Sequence, residues 1–209
     1  MQASSPFSDE ELLRRIAGGD ERAFTSFYRE RQGGIYRFAL QMCGSASVAE
    51  DVTQEVFMAL IREAHRFDPA RGNLVSYLYG MARNQVRRRL EKDRALLSNA
   101  EAADDETAND EACDAPHDPL DELTRRELIA SVRQAVLTLP EHYREVVVLC
   151  ELHEMSYAEA AGVLGCAVGT VRSRLHRARG LLVERLRAVR DAEAEGDKRP
   201  QAVTQRCFV

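Results

Sequence analysis

Between Ser98 and Glu122 the chain carries ten acidic side chains and no basic one, with Pro116 and Pro119 near the end of the stretch. Like charges repel, and the stretch lacks the apolar residues whose burial would offset the entropy lost on ordering. It reads as a disordered linker, and it divides the 209 residues into two blocks of small-domain size. The formal net charge of −5 hides this division. Residues 1–97 hold 15 basic and 13 acidic side chains, and residues 123–190 hold 11 and 7. Any nucleic-acid affinity therefore resides in local patches of the two mildly basic blocks, not in the total.

Several classes are disfavoured. No apolar run approaches the roughly 18 residues needed to span a bilayer. Met1 to Asp9 lacks the basic flank and apolar stretch of a secretion signal. The expectation is a cytoplasmic protein with no membrane insertion. Cysteines stand at 43, 113, 150, 166 and 207, an odd count with no CxxC pair, so reduced thiols are expected rather than disulfides or zinc. His153-Glu154 begins like HExxH, but Tyr157 occupies the second histidine position. The acids at 104–114 lie in a composition that cannot preorganise a metal. With no phosphate-cradling glycine loop and no nucleophile–base pair, no cofactor, no metal and no catalytic activity are expected.

Both blocks are patterned as helices. In residues 8–97, Ser8 caps a helix carrying Leu12, Leu13 and Ile16, with Glu11 placed for a capping box and Gly18-Gly19 as the stop. Asp20 caps a second helix with Phe24, Phe27 and Tyr28, and a further apolar stretch runs from Ile35 to Met42. Ser47 opens a long helix to about Ala64, Pro69 to Asn73 breaks the chain, and Leu74 to about Arg94 is helical again. The block 123–190 begins with Leu123, Leu128, Ile129, Val132 and Val136, on a helix starting near Leu120. Pro140 suits the first turn of the next helix, with Tyr143, Val146, Val147 and Leu149. Residues 191–209 read as a flexible tail. The fold class is all-α: two small helical domains joined by a flexible acidic linker.

The second block ends in a helix-turn-helix pattern. Ser156-Tyr157-Ala158-Glu159 is a capping box. Ala160, Ala161, Val163 and Leu164 follow, and Gly165 suits a left-handed turn. A second helix from near Val168 carries Val171, Leu175, Ala178, Leu182 and Leu186 at helical spacing. Its other face presents Thr170, Ser173, His176 and Arg177, flanked by Arg172 and Arg174. A basic helix after a tight turn suits the major groove, where Arg and Ser/Thr reach base edges and phosphates. The alternative is a basic solvated helix in a plain bundle.

The run LPEHYREVVVLCELHEMSYAEAAGVLGCAVGTVRSRLHRARGLLVERL resembles the −35-element-binding domain, region 4, of extracytoplasmic-function sigma factors in the sigma-70 family. Ala167 stands where the family often has a capping Ser or Pro. AEDVTQEVFMALIREAHRF is similar to the family's core-polymerase-binding helix in region 2. FDPARGNLVSYLYGMARNQVRRRL is similar to the segment that melts and reads the −10 element. The resemblance covers about residues 10–94 and 123–187 and implies a sigma factor that joins core RNA polymerase and directs it to promoter DNA. It assigns Thr170, Arg172, Ser173, Arg174, His176 and Arg177 to the −35 element. It assigns Phe67, Asn73, Tyr77, Asn84, Arg87 and Arg88 to the −10 element, on a helix that also bears Tyr79, Arg83 and Arg89. Unpaired bases need apolar surfaces and polar partners, and phosphates need arginines. Tyr77 stands where the family commonly has Trp; it either packs in the core, the favoured reading, or meets a base. Asp51, Gln54, Glu55 and Met58 are implied to face the coiled coil of the polymerase's largest subunit, with the flap as a further contact and an anti-sigma factor as a possible partner. The runner-up function is a stand-alone helix-turn-helix regulator, which leaves the stripe from Asp51 to Arg62 without a role.

The linker's acids either form a plain spacer or screen the basic helices from stray DNA; the spacer is favoured. Replacing Asp104, Asp105, Glu106, Asp110 and Glu111 by Ser or Asn at constant length is then expected to leave specific transcription nearly unchanged. Tighter nonspecific DNA binding at low salt, shrinking as salt rises, would identify a screen instead.

Overall fold

The computed structural model describes residues 8–97 and 119–196, and every regular element in them is helical. Helix α1 (Asp9–Ala17) starts as expected, Ser8 Oγ accepting from Glu11 N at 3.3 Å. The Glu11 carboxylate turns outward to Arg14 and Arg15. Helix α2 (Glu21–Cys43) is capped by Asp20, whose carboxylate accepts from the amides of Arg22 and Ala23. The apolar residues Phe24, Phe27 and Tyr28 and the stretch from Ile35 to Met42 lie on one helix, because α2 runs unbroken through Gly33-Gly34. A Cβ on Gly34 would lie 3.1 Å from the Tyr79 hydroxyl, so this glycine lets the later helix approach closely.

Helix α3 (Ala46–Glu63) is capped by Ser45 rather than starting at Ser47. Two short 3-10 turns, Ala64–Arg66 and Pro69–Arg71, carry the chain into α4 (Leu74–Leu97). Two side chains satisfy amides at the start of α4: Asn73 Oδ1 accepts from Ser76 N at 2.7 Å, and Asp9 of α1 accepts from Leu74 N at 2.7 Å. Ile35, Phe38, Met42, Val52, Val56, Leu60, Leu74, Leu78 and Val86 are excluded from water between α2, α3 and α4.

Helix α5 (Pro119–Leu137) starts inside the stretch read as linker, with proline in its first turn where no amide is needed. Helix α6 (Glu141–Val147) widens into a π-helical turn, Val148–Leu152. Helices α7 (Tyr157–Leu164) and α8 (Val168–Gly196) complete the chain. Helix α8 continues through Gly196, into the stretch read as a flexible tail. The remaining linker, 98–118, and tail, 197–209, lie outside the described residues. So do Cys113 and Cys207, while Cys43, Cys150 and Cys166 form no disulfide with one another. No helix among the described residues is long and apolar enough to cross a membrane.

The two blocks do not stand apart. One continuous buried cluster includes Phe38 and Tyr79 from the first and Val146, Leu149, Val171 and Leu175 from the second. The Arg144 guanidinium crosses between them, donating to the Met42 carbonyl at the end of α2, to the Leu137 carbonyl at the end of α5 and to the Leu139 carbonyl just beyond it. It supplies donors to helix-end carbonyls that have no intrahelical partner.

His153 is the other tie. Its Nδ1 lies 2.9 Å from the Tyr79 hydroxyl and its Nε2 lies 3.0 Å from Gln41 Oε1. An amide oxygen only accepts, so the proton sits on Nε2 and Nδ1 accepts from tyrosine. Burial, with the Arg37 charge nearby, lowers the imidazole pKa to about 4. In the unfolded chain it returns toward 6.5. Between those values the unfolded chain binds a proton that the folded one does not. This contribution to stability is therefore full above 6.5 and is lost as pH falls through about 4. Denaturant midpoints measured at about pH 7 and about pH 5 are expected to differ less for His153→Gln than for the wild type.

Candidate nucleic-acid interface

The helix-turn-helix forms as its sequence pattern requires. Ser156 Oγ accepts from Glu159 N at 3.2 Å, and Glu159 Oε2 accepts from Ser156 N at 3.0 Å. The Ser156 hydroxyl also donates to this carboxylate and, with its amide, holds the carboxyl pKa below the usual range. Gly165 ends α7 in the left-handed region at φ 65°, the one turn position where a Cβ is costly. Ala167 offers only its carbonyl to α8, accepting from Thr170 N and Val171 N, as its lack of a side-chain oxygen dictates. Val171, Leu175 and Ala178 are fully buried and set the rotation of α8. That rotation exposes Arg172, Ser173, His176 and Arg177 and leaves Thr170 and Arg174 half-buried. Ser173 donates its hydroxyl proton to the Thr170 carbonyl. Arg179 is held by Glu151, so it is less available than its neighbours. Arg172, Arg174 and Arg177 make no ion pair with any described residue.

A second polar surface lies along the loop before α4 and the first half of that helix. Phe67 and Tyr77 meet edge to face with ring centres 5.6 Å apart. With Asn73 and Asn84 they line a cleft of about 230 Å³ whose other wall includes Gly162 and Val163 of α7. Tyr77 is half-buried, and desolvation, reinforced by Glu63, raises its phenol pKa. Asn84 is exposed. Asn73, besides capping α4, donates from Nδ2 to Glu159 Oε1 at 3.0 Å.

The arginines of α4 are sorted by helix rotation in a way the linear run RNQVRRR does not reveal. Arg83 is nearly buried and grips Glu145, with Nε–Oε1 at 2.5 Å and Nη2–Oε2 at 3.3 Å. Arg87 lies 3.3 Å from Glu141. Arg89 turns the other way, bridging Asp51 at 2.7 Å and Glu55 at 2.9 Å on α3. Arg88 sides with Arg89, in a groove with Gln54, Glu55, Met58 and Arg62. Tyr79 is buried against His153 rather than offered to a nucleic acid. The α3 stripe is a real surface: Asp51, Gln54 and Arg62 are exposed, Met58 is half-exposed though apolar, and Glu55 is half-buried. Its two acids are already engaged by Arg89, which the sequence reading missed. Glu141, Glu145, Gln41 and His153 were also missed as interface groups. No sequence signal marks them, because their partners are remote in the chain.

His153 is equally clear as a negative result. Both ring nitrogens are occupied by hydrogen bonds, which leaves no lone pair for the metal role that His153-Glu154 superficially suggests.

Residues 27–96 match the family described as Sigma-70 region 2, and residues 129–182 match Sigma-70, region 4. The chain is 32% identical to the ECF RNA polymerase sigma factor SigW of Bacillus subtilis, over 84% of this chain and 95% of that protein. It is 35% identical to the RNA polymerase sigma-H factor of Pseudomonas aeruginosa, over 82% of this chain and 90% of that one. Among solved structures it is similar to CnrH in complex with the cytosolic domain of CnrY, with TM-score 0.62 and 26% identity over 87% of this chain and 99% of that one. It shares the fold of the sigma factor RpoE, solved with the anti-sigma factor NepR from Bartonella quintana, with TM-score 0.65 and 24% identity over 78% of this chain and 96% of that one.

Proposed function

The chain belongs to the extracytoplasmic-function sigma factors of the sigma-70 family and directs promoter-specific transcription initiation, and from that premise we propose how its surfaces divide the work. The reading rests on one observation: region 2 and region 4 matches lie in order on one chain, each carrying an exposed polar face. A stand-alone regulator would need only the second.

Residues 123–190 act as the −35 domain. Helix α8 enters the major groove, where Arg172 and Arg177 reach base edges or phosphates and Ser173, as an acceptor, His176, Thr170 and Arg174 complete the contact. Residues 8–97 act as the −10 domain. Phe67 and Tyr77 supply ring surface to unstacked bases, Asn73 and Asn84 supply amide groups, and Arg87 and Arg88 hold the backbone. Gln54 and Met58, with Asp51 and Glu55 shaped by Arg89, dock on the coiled coil of the polymerase's largest subunit, while the second domain approaches the flap. Residues 98–118 serve as a cytoplasmic protein's tether between the two DNA contacts. The chain does no chemistry of its own: the polymerase makes the phosphodiester bonds, and this subunit selects the site and holds the opened strand. An anti-sigma factor is the expected partner: the sigma factor RpoE, which shares this fold, was solved with the anti-sigma factor NepR.

Alanine at Arg172, Arg174 or Arg177 is expected to weaken binding to the −35 element, measured by anisotropy on promoter and scrambled duplexes. A base contact costs about 1–3 kcal/mol and relaxes one position, whereas a phosphate contact weakens all sequences alike. Unchanged binding in all three would remove α8 from the role of recognition helix.

The polymerase face is best tested away from its acids, since reversing Asp51 or Glu55 also breaks the Arg89 bridge between α3 and α4. Gln54→Ala with Met58→Asp changes groups with no such tie. The double variant is expected to keep its thermal midpoint and lose holoenzyme formation in a pull-down with core polymerase. Normal holoenzyme formation would move the docking surface elsewhere.

A further inference from the structure

The exposed face of α8 carries one more arginine than it offers to DNA. Arg179 stands seven residues after Arg172. On a helix of 3.6 residues per turn that spacing puts it within about 20° of Arg172 and about 10 Å further along the axis. Both side chains are exposed, with exposed His176 between them. In a helix-turn-helix the first residues of the second helix read base edges, and its later turns run past the phosphates that line the groove. Arg172, Arg174 and Arg177 make no ion pair with any described residue. Arg179 differs: its Nε and Nη2 both donate to Glu151 Oε1, at 3.2 and 2.5 Å. Glu151 projects from the π-helical turn Val148–Leu152, so the pair ties that turn to the side of α8.

Fold stability does not explain the pair. The Arg179 and Glu151 side chains keep 58% and 39% exposure, and exposed ion pairs contribute little. Fully buried Val171, Leu175 and Ala178 already set the rotation of α8. What the pair changes is the charge that α8 shows to a duplex. The N–H donors that Glu151 takes are those a guanidinium offers to phosphate, and the carboxylate adds a negative charge beside them. We propose that Glu151 restrains DNA affinity: its carboxylate withholds Arg179 from the phosphate backbone, so α8 binds duplexes of any sequence more weakly than its arginines allow. The proposal rests on reading α8 as the −35 helix and adds a determinant to that same surface. Phosphate contacts carry no sequence information and account for nonspecific binding, so a contact withheld there lets the chain leave wrong sites sooner. Discrimination stays with Arg172 and its neighbours, whose donors Glu151 does not take.

The test uses the full chain with a −35 duplex and a scrambled duplex, read by anisotropy from low to moderate salt. Glu151→Gln nearly keeps the side chain's shape and removes its charge. It is expected to bind both duplexes about five- to tenfold tighter at low salt, and to steepen log affinity against log salt by about one. Glu127→Gln makes the same charge change at an exposed position on α5 and is expected to match wild type. Arg179→Ala is expected to bind like wild type, since its contact is already withheld. Combined with Glu151→Gln, it is expected to cancel the gain. Should Glu151→Gln lose its helical circular dichroism, Glu151→Ser replaces it, with the same expectation. Weaker binding by both Arg179→Ala and Glu151→Gln overturns the restraint, because Glu151 would then aim Arg179 at DNA. A gain that survives Arg179→Ala, or that Glu127→Gln shares, overturns it too, since lost negative charge alone would be the cause. Arg172→Ala in the same assay separates the two ideas. If it weakens binding to the −35 duplex while Glu151→Gln shows no gain, the restraint falls and the α8 reading stands. If neither variant changes binding, both fall.

Discussion

Glu145 is a carboxylate with 3% of its surface exposed, and Arg83 is the partner that makes its burial tolerable. A lone ionised carboxylate in such a place would cost several kcal/mol. The arginine comes from the other domain, 62 positions away in the chain. This one requirement fixes α6 on α4, and the rest follows by rigid connection. The π-helical turn after α6 carries His153 to Tyr79 and Gln41, and α7 then lies over the loop before α4. A buried ion pair is weak grounds for extra stability, since a well-packed apolar pair often does as well. Its distinctive property is reversibility: both ions are content in water once the domains part.

Around that pair the interface is built from groups that remain hydrophilic when released. Arg144 gathers carbonyls from Met42, Leu137 and Leu139, three acceptors that water also satisfies. His153 is held neutral, so opening the contact near neutrality releases no trapped charge. Asn73 caps its own helix through Oδ1 and at the same time donates from Nδ2 to Glu159. Beside these polar ties, one continuous apolar cluster joins Phe38 and Tyr79 to Val146 and Leu149 across the contact. Helix α8 keeps its basic face outside it: Arg172 and Arg177 are exposed while Arg83 of α4 is nearly buried.

Local signals in the sequence were read well where the chemistry was local. Ser8, Asp20 and Ser156 cap helices because a side-chain oxygen next to free amides is decided within a few residues. Gly165 and the buried stripe of Val171, Leu175 and Ala178 followed from turn geometry and 3.6-residue periodicity. The errors have physical causes too. Ser47 looked like a cap, but Ser45 two residues earlier does the work after the left-handed Gly44. Packing against α4 holds α2 unbroken through Gly33-Gly34 and uses the missing side chain at Gly34. The arginine run on α4 looked like a single DNA-facing block; helix rotation sends Arg89 to α3 and Arg83 into the interface.

The sequence by itself determined the class and the parts: an all-helical chain in two blocks, a capped helix-turn-helix, a basic helix face, and the resemblance that names the family. These depend on residues within one helix or one turn, whose interactions are set by spacing along the chain. Only the tertiary structure decided which polar groups are free. Whether an arginine meets a phosphate, a neighbouring helix or a carboxylate of the other domain depends on how two separately patterned blocks dock. That docking is governed by the desolvation of Glu145, Arg144 and His153 against partners far away in sequence. No periodicity records it, because charge pairing across an interface has no fixed interval along the chain.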